Sequence, residues 1–435
     1  MSHFADIADT PPDAAFSLVA AFAADQFENK VDLCPGFYRD ENAQPWAKQL
    51  LHDDPSLNHE HLPLSGHPDL IAGARTLVFG LPEAELSHVA TIQTVSGTGS
   101  NHLGARFLSD ELPSAATAPE KARQKTVWIS NLSWINHTEI WLNVNPDIAR
   151  RTYPYYNPTT QSLDYAGMQH ALLHDAAAGD VVVLHGCAHN PTGLDLSHEQ
   201  WRSIADICEE KRLFPFFDLA YQGFATGSLS ADAWPIRHFL NRPSLEFCVA
   251  QSFSKNFGLY SERVGALHVV TRSAEIAVRV LGKLKRLQRA EITTAPAFGA
   301  RVVARVLGDA ALYRQWEEDL LRMSGRMRRM RERLVEELQA RETPGEWGHV
   351  LSEVSKEEGE YSKVRREKSE ADEIGVQIGM FSMTGLTPAQ VKVLVEKYHV
   401  YLLPSGRISV TGLTEMNVAY VAEAFDKVLR SADSE

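Results

Sequence analysis

Thr91-Ile92-Gln93-Thr94-Val95-Ser96-Gly97-Thr98-Gly99 opens the stretch on which the fold turns. Thr91 to Val95 has the β-branched character of a strand, a glycine-rich turn follows, and Asn101 to Leu112 then sets Leu103, Ala105, Phe107 and Leu108 at helical spacing. Strand, glycine turn and helix in that order begin a βαβ unit. A helix starting there offers its N–H groups and dipole to a phosphate. Further along, Val181-Val182-Val183-Leu184 is a short all-apolar strand, as a sheet covered on both faces requires. Leu213 to Phe217 and Glu246 to Gln251 repeat the strand signal, and each ends in polar residues, where open α/β sheets bind ligands. The alternation persists from about residue 70 to 300 and predicts an α/β fold with a mostly parallel sheet.

Composition bounds the rest. At 435 residues, 44% hydrophobic and 23% charged, the chain has an ordinary globular make-up, and at ~100–200 residues per domain it is long enough for two or three domains. The charge sum, 43 − 56 = −13, argues against a nucleic-acid partner, because neutralising phosphates needs a basic surface. Apolar runs fall far short of the ~20 residues that span a bilayer, so no membrane partner is expected. Met1 through Pro12 holds Asp6 and Asp9 and no Lys or Arg, unlike a secretory or transit leader, and the cytoplasm is the expected compartment. Cys34, Cys187, Cys208 and Cys248 have neither C-x-x-C nor zinc spacing; they read as buried thiols in a reducing compartment, with no metal site.

Beyond residue 310, Trp316, Leu320, Met323, Met327, Met330 and Leu334 recur at steps of three or four, predicting a long amphipathic helix packed on its own domain. The arginines from Arg322 to Arg333 interleave with Glu332, Glu336 and Glu337 and read as a solvated face. Between Glu353 and Glu373, 13 of 21 side chains are charged, 8 acidic and 5 basic, which predicts an extruded excursion. A compact α+β pattern resumes with Gly375 to Phe381, a helix from Thr387 to Tyr398, Val400 to Leu403, and a last helix from Thr414.

The strongest chemical signal is Ser252-Phe253-Ser254-Lys255-Asn256-Phe257-Gly258-Leu259-Tyr260-Ser261-Glu262-Arg263-Val264-Gly265. A lysine at a strand end, flanked by serines and followed eight residues later by an arginine, suits a cofactor that carries both an aldehyde and a phosphate. Lys255 would form the Schiff base, and Ser252, Ser254 and Arg263 would hold the phosphate. Gly97-x-Gly99 with Gly104 beyond is only a near miss to the dinucleotide fingerprint, its third glycine two residues late.

With His185-Gly186-Cys187-Ala188-His189-Asn190-Pro191-Thr192-Gly193 and Leu402-Leu403-Pro404-Ser405-Gly406-Arg407, that string resembles the class I aminotransferases of the fold-type I pyridoxal-phosphate enzymes, specifically the aspartate aminotransferase subgroup, over nearly the whole chain. The resemblance implies a large domain with a mostly parallel seven-stranded sheet, a smaller discontinuous α+β domain, and pyridoxal 5'-phosphate as cofactor. The expected division is an N-terminal arm over 1–14, a small domain from 15–40 and 321–435, with 353–373 as a charged insertion, and a cofactor domain over 41–320. Asp218 matches the carboxylate that pairs with the pyridine nitrogen, and Tyr221 and Asn190 the pair that bonds the cofactor's phenolic oxygen. His137 and His185 match histidines behind that carboxylate. Trp134 matches the aromatic that stacks on the ring, and Ser96, Gly97 and Thr98 the turn at the phosphate. Arg407 resembles the residue that grips the α-carboxylate, helped by Asn190 and the main chain at Gly36. Arg289 falls where a neighbouring subunit supplies an arginine for a distal carboxylate, which favours dicarboxylic substrates.

The chain departs from the pattern at His61, where a tyrosine is usual and reaches the neighbour's cofactor phosphate. It departs also at Leu132, Ser261 and Thr294, and in a shorter segment after Pro45-Trp46. The expectation is a homodimeric aminotransferase with composite sites, exchanging aspartate and 2-oxoglutarate for oxaloacetate and glutamate by ping-pong kinetics. The alternatives are an aromatic or kynurenine aminotransferase, a lyase or β-decarboxylase on the same scaffold, and, from other classes, a non-catalytic interaction protein or a dinucleotide dehydrogenase.

Overall fold

The computed structural model describes residues 18, 21–22, 24–34, 61–112, 125–351 and 377–432. Its centre is a sheet of β1 (Val89–Val95), β2 (Thr126–Ser130), β3 (Ala149–Tyr153), β4 (Val181–His185), β5 (Phe214–Leu219), β6 (Phe247–Ser252) and β7 (Val264–Val270). The spatial order of the seven strands is β1-β7-β6-β5-β4-β2-β3. Strand β7 runs antiparallel to both neighbours, and every other pairing is parallel.

Alternation along each strand divides the core. Val181, Val183, Phe216, Cys248 and Ala250 face one cluster, while Val182, Leu184, Phe217, Phe247 and Val249 face another. Helices α1 (Pro68–Phe79), α2 (Ser96–Glu111), α3 (Asn136–Val144), α4 (His198–Lys211), α5 (Ala274–Glu291) and α6 (Phe298–Gly308) cover the two faces. Leu103 and Phe107 of α2 and Leu284 of α5 join the first cluster; Leu70 of α1, Trp201 of α4 and Val303 of α6 join the second. Each fully buried Leu or Phe contributes about 1.5–3 kcal/mol, so losing either helix layer would expose a face the sheet cannot leave wet.

Four expected boundaries move. Helix α2 begins at Ser96, five residues earlier than its apolar spacing indicated, because Ser96 takes a left-handed conformation with φ 62° and completes the turn alone. Strands β5 and β6 end one or two residues later than expected, so Asp218 lies inside the last pair of β5 rather than after it. The last helix starts at Val418, since Thr414 and Asn417 exchange side-chain-to-backbone bonds of 2.7 and 3.2 Å that cap it.

Helix α7 (Ala310–Ala340) is one unbroken element whose expected apolar stripe is buried. A division at 320/321 passes through it. Near its start Trp316 Nε1 donates to the Asn256 carbonyl at 2.7 Å; further on it packs with α9 (Val418–Ala432), beside α8 (Pro388–Tyr398). Short strands β8 (Phe381–Met383) and β10 (Arg407–Ser409) pair antiparallel, and β9 (Val400–Tyr401) pairs in parallel with Val31–Asp32. The reading of the α7 arginines as a solvated face fails at Arg326 and Arg331, which are buried because their guanidinium groups donate to main-chain carbonyls. Gly36, the segment after Trp46, and 353–373 lie outside the described residues. All four cysteines are buried free thiols, and no described helix is long and apolar enough to cross a membrane.

Candidate active site

The parallel register of β4, β5 and β6 delivers chemistry to one edge of the sheet. His185 pairs with Asp218 across β4 and β5, and Leu219 with Gln251 across β5 and β6, so Asp218 and the Ser252–Lys255 turn emerge together. Asp218 is 7% exposed. Burial disfavours its charge, but the hydrogen bond from His137 and the positive influence of His137, His185 and Lys255 outweigh it and hold the carboxyl below the ordinary range. His137 Nε2 donates to Asp218 Oδ2 at 3.0 Å, and Ser133 Oγ joins His137 Nδ1 at 2.8 Å to His185 Nε2 at 3.1 Å. The two expected histidines are thus one chain behind the carboxylate. Ser133, the link between them, carried no sequence signal.

Lys255 is half-buried, and its ammonium stands 5.0 Å over the Tyr221 ring. Burial lowers its pKa, Asp218 opposes that shift, and Arg263 and Arg407 reinforce it. A lysine so placed can lose its proton and act as a nucleophile or base. Burial also raises the Tyr221 phenol, helped by Asp218, so it stays protonated as a donor.

To one side is a phosphate-sized cradle. Arg263 Nη2 donates to Ser96 Oγ, and Arg263 Nη1 to the Tyr260 carbonyl at 2.8 Å. Ser96 N donates to the Arg263 carbonyl at 3.0 Å, and both residues have positive φ, 62° and 55°, which aims the turn and the guanidinium at one spot. Gly97 sits so close to β6 that a Cβ there would lie 2.8 Å from Ser252 Cβ. Ser254 N donates to Ser252 Oγ at 3.2 Å, bringing the second serine to the same turn. Thr98 lies in the first turn of α2, and Arg263 has no carboxylate partner among the described residues. An arginine, several hydroxyls and a helix N-terminus without a countercharge make an anion site.

To the other side is Arg407. Its guanidinium lies 4.1 Å over the Phe381 ring, donates from Nη1 to Asn190 Oδ1 at 3.3 Å and from Nη2 to the Cys34 carbonyl at 3.0 Å. Its Nε is buried with no hydrogen-bond partner among the described residues. Nothing in the sequence singled out Phe381, which also meets the Tyr221 ring edge-on at 6.3 Å. Trp134 is half-buried and packs edge-on to His137 at 5.3 Å.

His61 and Arg289 do not join this cluster. His61 Nδ1 and Thr294 Oγ1 share a 3.2 Å hydrogen bond, and Arg289 Nη1 donates to Thr293 Oγ1 at 2.6 Å, beyond the C-terminal end of α5. Both side chains are exposed in the single chain. Two of the departures from the pattern, His61 and Thr294, therefore touch each other.

The geometry is matched by similarity to known proteins. A family model described as "Aminotransferase class I and II" matches residues 28–425. The L-tyrosine:2-oxoglutarate aminotransferase of Aspergillus ustus is 40% identical over 98% of this chain and 78% of its own length. The cytoplasmic aspartate aminotransferase of Saccharomyces cerevisiae superposes with TM-score 0.87 at 39% identity, covering 99% of each chain. An aromatic-amino-acid aminotransferase from Burkholderia pseudomallei, described as covalently bound to pyridoxal phosphate, superposes with TM-score 0.85 at 35% identity over 99% of this chain and 100% of that one. With a lysine under the influence of a carboxylate and two arginines at its centre, and with these matches over nearly the whole length, the chain belongs to the class I and II aminotransferases.

Proposed function

We propose that the chain is an aspartate:2-oxoglutarate-type aminotransferase that uses pyridoxal 5'-phosphate. The observation that carries this reading is one half-buried amine, Lys255, under the influence of a carboxylate, Asp218, and of two arginines, Arg263 and Arg407. The donor set fits the cofactor: Lys255 Nζ would hold its carbonyl carbon and Arg263, Ser96, Gly97, Thr98, Ser252 and Ser254 its phosphate. Asp218 would face its ring nitrogen, Trp134 its ring, and Tyr221 and Asn190 its phenolic oxygen. When bound, the cofactor supplies an electron sink for the charge left on Cα after deprotonation.

The protein's own part is binding and proton handling. Arg407 offers Nε and its Nη edge to the α-carboxylate of the amino acid, a fork that carboxylate geometry suits. Lys255 Nζ, with its pKa lowered by burial, accepts the proton that leaves Cα and carries it to the carbon that is reprotonated. Asp218 stays ionised at neutral pH, and His137 and Ser133 keep it oriented.

A second reading, an aromatic aminotransferase, is favoured by Arg289. A desolvated arginine would reject substrates lacking a distal carboxylate, but Arg289 here is exposed and bonded to Thr293. Discrimination then depends on a second copy of the chain covering it, which fits the proposed homodimer with shared sites. The division into a cofactor domain and a discontinuous small domain, and a cytoplasmic location, belong to the same proposal. Lys255→Ala removes turnover and the visible absorbance of the bound cofactor; a Lys255→Ala protein with full turnover overturns the reading. A transamination panel of aspartate, glutamate, phenylalanine and kynurenine separates the two specificities, and if Arg289→Ala leaves aspartate turnover unchanged the dicarboxylate reading fails.

A further inference from the structure

Arg331 is the second largest of the fully enclosed side chains, 1% exposed, and among the described residues no carboxylate faces it. A buried cation without a counterion is expensive, and burial alone pulls this one down to about 9. Its hydrogen bonds go to main-chain carbonyls: Nη1 to Val350 at 3.1 Å, and Nη2 to Gly379 at 2.9 Å and Phe381 at 2.6 Å. Val350 precedes and Gly379 follows the charged stretch 353–373, so one guanidinium ties together the two ends of chain that the stretch separates.

The tied segment reaches two of the partners of Arg407, Asn190 and Phe381. Ile378 N donates to the Gly193 carbonyl at 2.6 Å, and a Cβ on Gly193 would lie 2.8 Å from the carbonyl oxygens of Ile378 and Phe381. A Cβ on Gly379 would lie 2.5 Å from Ala188 Cβ. The 377–381 segment is therefore packed directly on the turn that carries Asn190. On its other side, Phe381 puts its ring under the Arg407 guanidinium, β8 pairs Met383 with Arg407, and Val410 N donates to the Met380 carbonyl at 2.8 Å. The Phe381 carbonyl held by Arg331 belongs to the residue whose ring supports Arg407.

We propose that Arg331 is the positioning residue of the α-carboxylate grip: by holding the Gly379 and Phe381 carbonyls it fixes the Phe381 ring and the Asn190 turn, and through them the plane of the Arg407 guanidinium. This rests on the reading of Arg407 as the α-carboxylate site. It acts on the feature common to all amino acids and 2-oxo acids, so it differs from any effect at Arg289.

The test compares Arg331→Met, Arg331→Lys and Arg407→Ala as full-length, cofactor-loaded proteins. Readouts are kcat, KM for aspartate, phenylalanine and 2-oxoglutarate, the cofactor's visible spectrum, and calorimetric binding of succinate. Misplacing a binding group by a fraction of an ångström costs on the order of 10- to 10²-fold. The expected result for Arg331→Met is that rise in KM by a similar factor for all three substrates, the same weakening of succinate, kcat within about threefold, and an unchanged spectrum. Arg331→Lys, which keeps the charge and one donor group, recovers part of the loss, and decides the matter if Arg331→Met does not fold. A folded Arg331 variant with unchanged KM and succinate affinity overturns the proposal, as does one whose only change is loss of the cofactor spectrum. If Arg407→Ala leaves KM unchanged, it is the functional reading that fails.

Discussion

Asp218 is a charge in a place that resists charge. Burial raises a carboxyl pKa, yet His137, His185 and Lys255 bring this one below its ordinary value. The sign follows: a depressed folded pKa contributes stability that is complete above the unfolded value of ~3.9 and is lost as pH falls through the folded one. Between pH 7 and 5 this group should leave thermal stability unchanged, and melting measured below pH 4 should show its share of the loss. Asp218→Asn keeps shape and removes the charge. Its kcat should fall on the order of 10²–10³-fold, in line with losing one preorganised electrostatic partner, and its melting curve should lose part of the acid dependence. At the rim, His61 bonds Thr294 rather than standing alone. In a shared site an imidazole there reaches less far than the usual tyrosine. His61→Tyr should alter cofactor affinity and KM; identical constants would show that the exchange is silent.

Elements, more than residues, explain what the sequence made legible. The Lys255 string and Asp218 were readable because each lies on a strand end, where a local pattern of apolar run and polar stop marks both the element and its functional edge. Phe381 and Ser133 were not readable, since each owes its role to a partner far away in sequence, Arg407 or His185. The burial of Arg326 and Arg331 escapes the sequence for the same reason: a helical wheel shows charge on a face but not the orphan carbonyls that face meets. The start of α2 was misplaced because a single left-handed serine replaced a longer turn. That start is also the tightest point of the cradle. Adding a methyl in Gly97→Ala forces Ser252 to move from a 2.8 Å contact. It should cost about 1–3 kcal/mol by overpacking, and, because the strain falls on the phosphate turn, cofactor dissociation should speed up more than unfolding does. Equal effects on both, measured by absorbance loss and by melting, would mean that the turn is only structural.

At the scale of the molecule, two helices link the site to a surface. Helix α2, which begins at the phosphate cradle, is tied to α5, near whose end Arg289 lies, by Lys283 to Glu111 at 2.6 Å and by His102 to Glu291 at 3.4 Å. Burial lowers the His102 imidazole, but the Glu291 carboxylate more than offsets it and raises the pKa overall, led by their hydrogen bond. One chain holds a Lys255 site together with an Arg289 and a His61 that are exposed and bonded to Thr293 and Thr294, which fits the proposed homodimer. In a two-fold dimer each copy would lend these side chains to the other. Lys255→Ala chains lack the amine but keep Arg289; Arg289→Ala chains keep the amine but lend no arginine. Each pure protein should turn aspartate over poorly. After co-refolding equal amounts, about half of the dimers are mixed and one of their two sites is intact, so about a quarter of the parent activity should return. Sites built from one chain alone would give only the average of the two variants, and measuring aspartate turnover before and after mixing distinguishes the two arrangements.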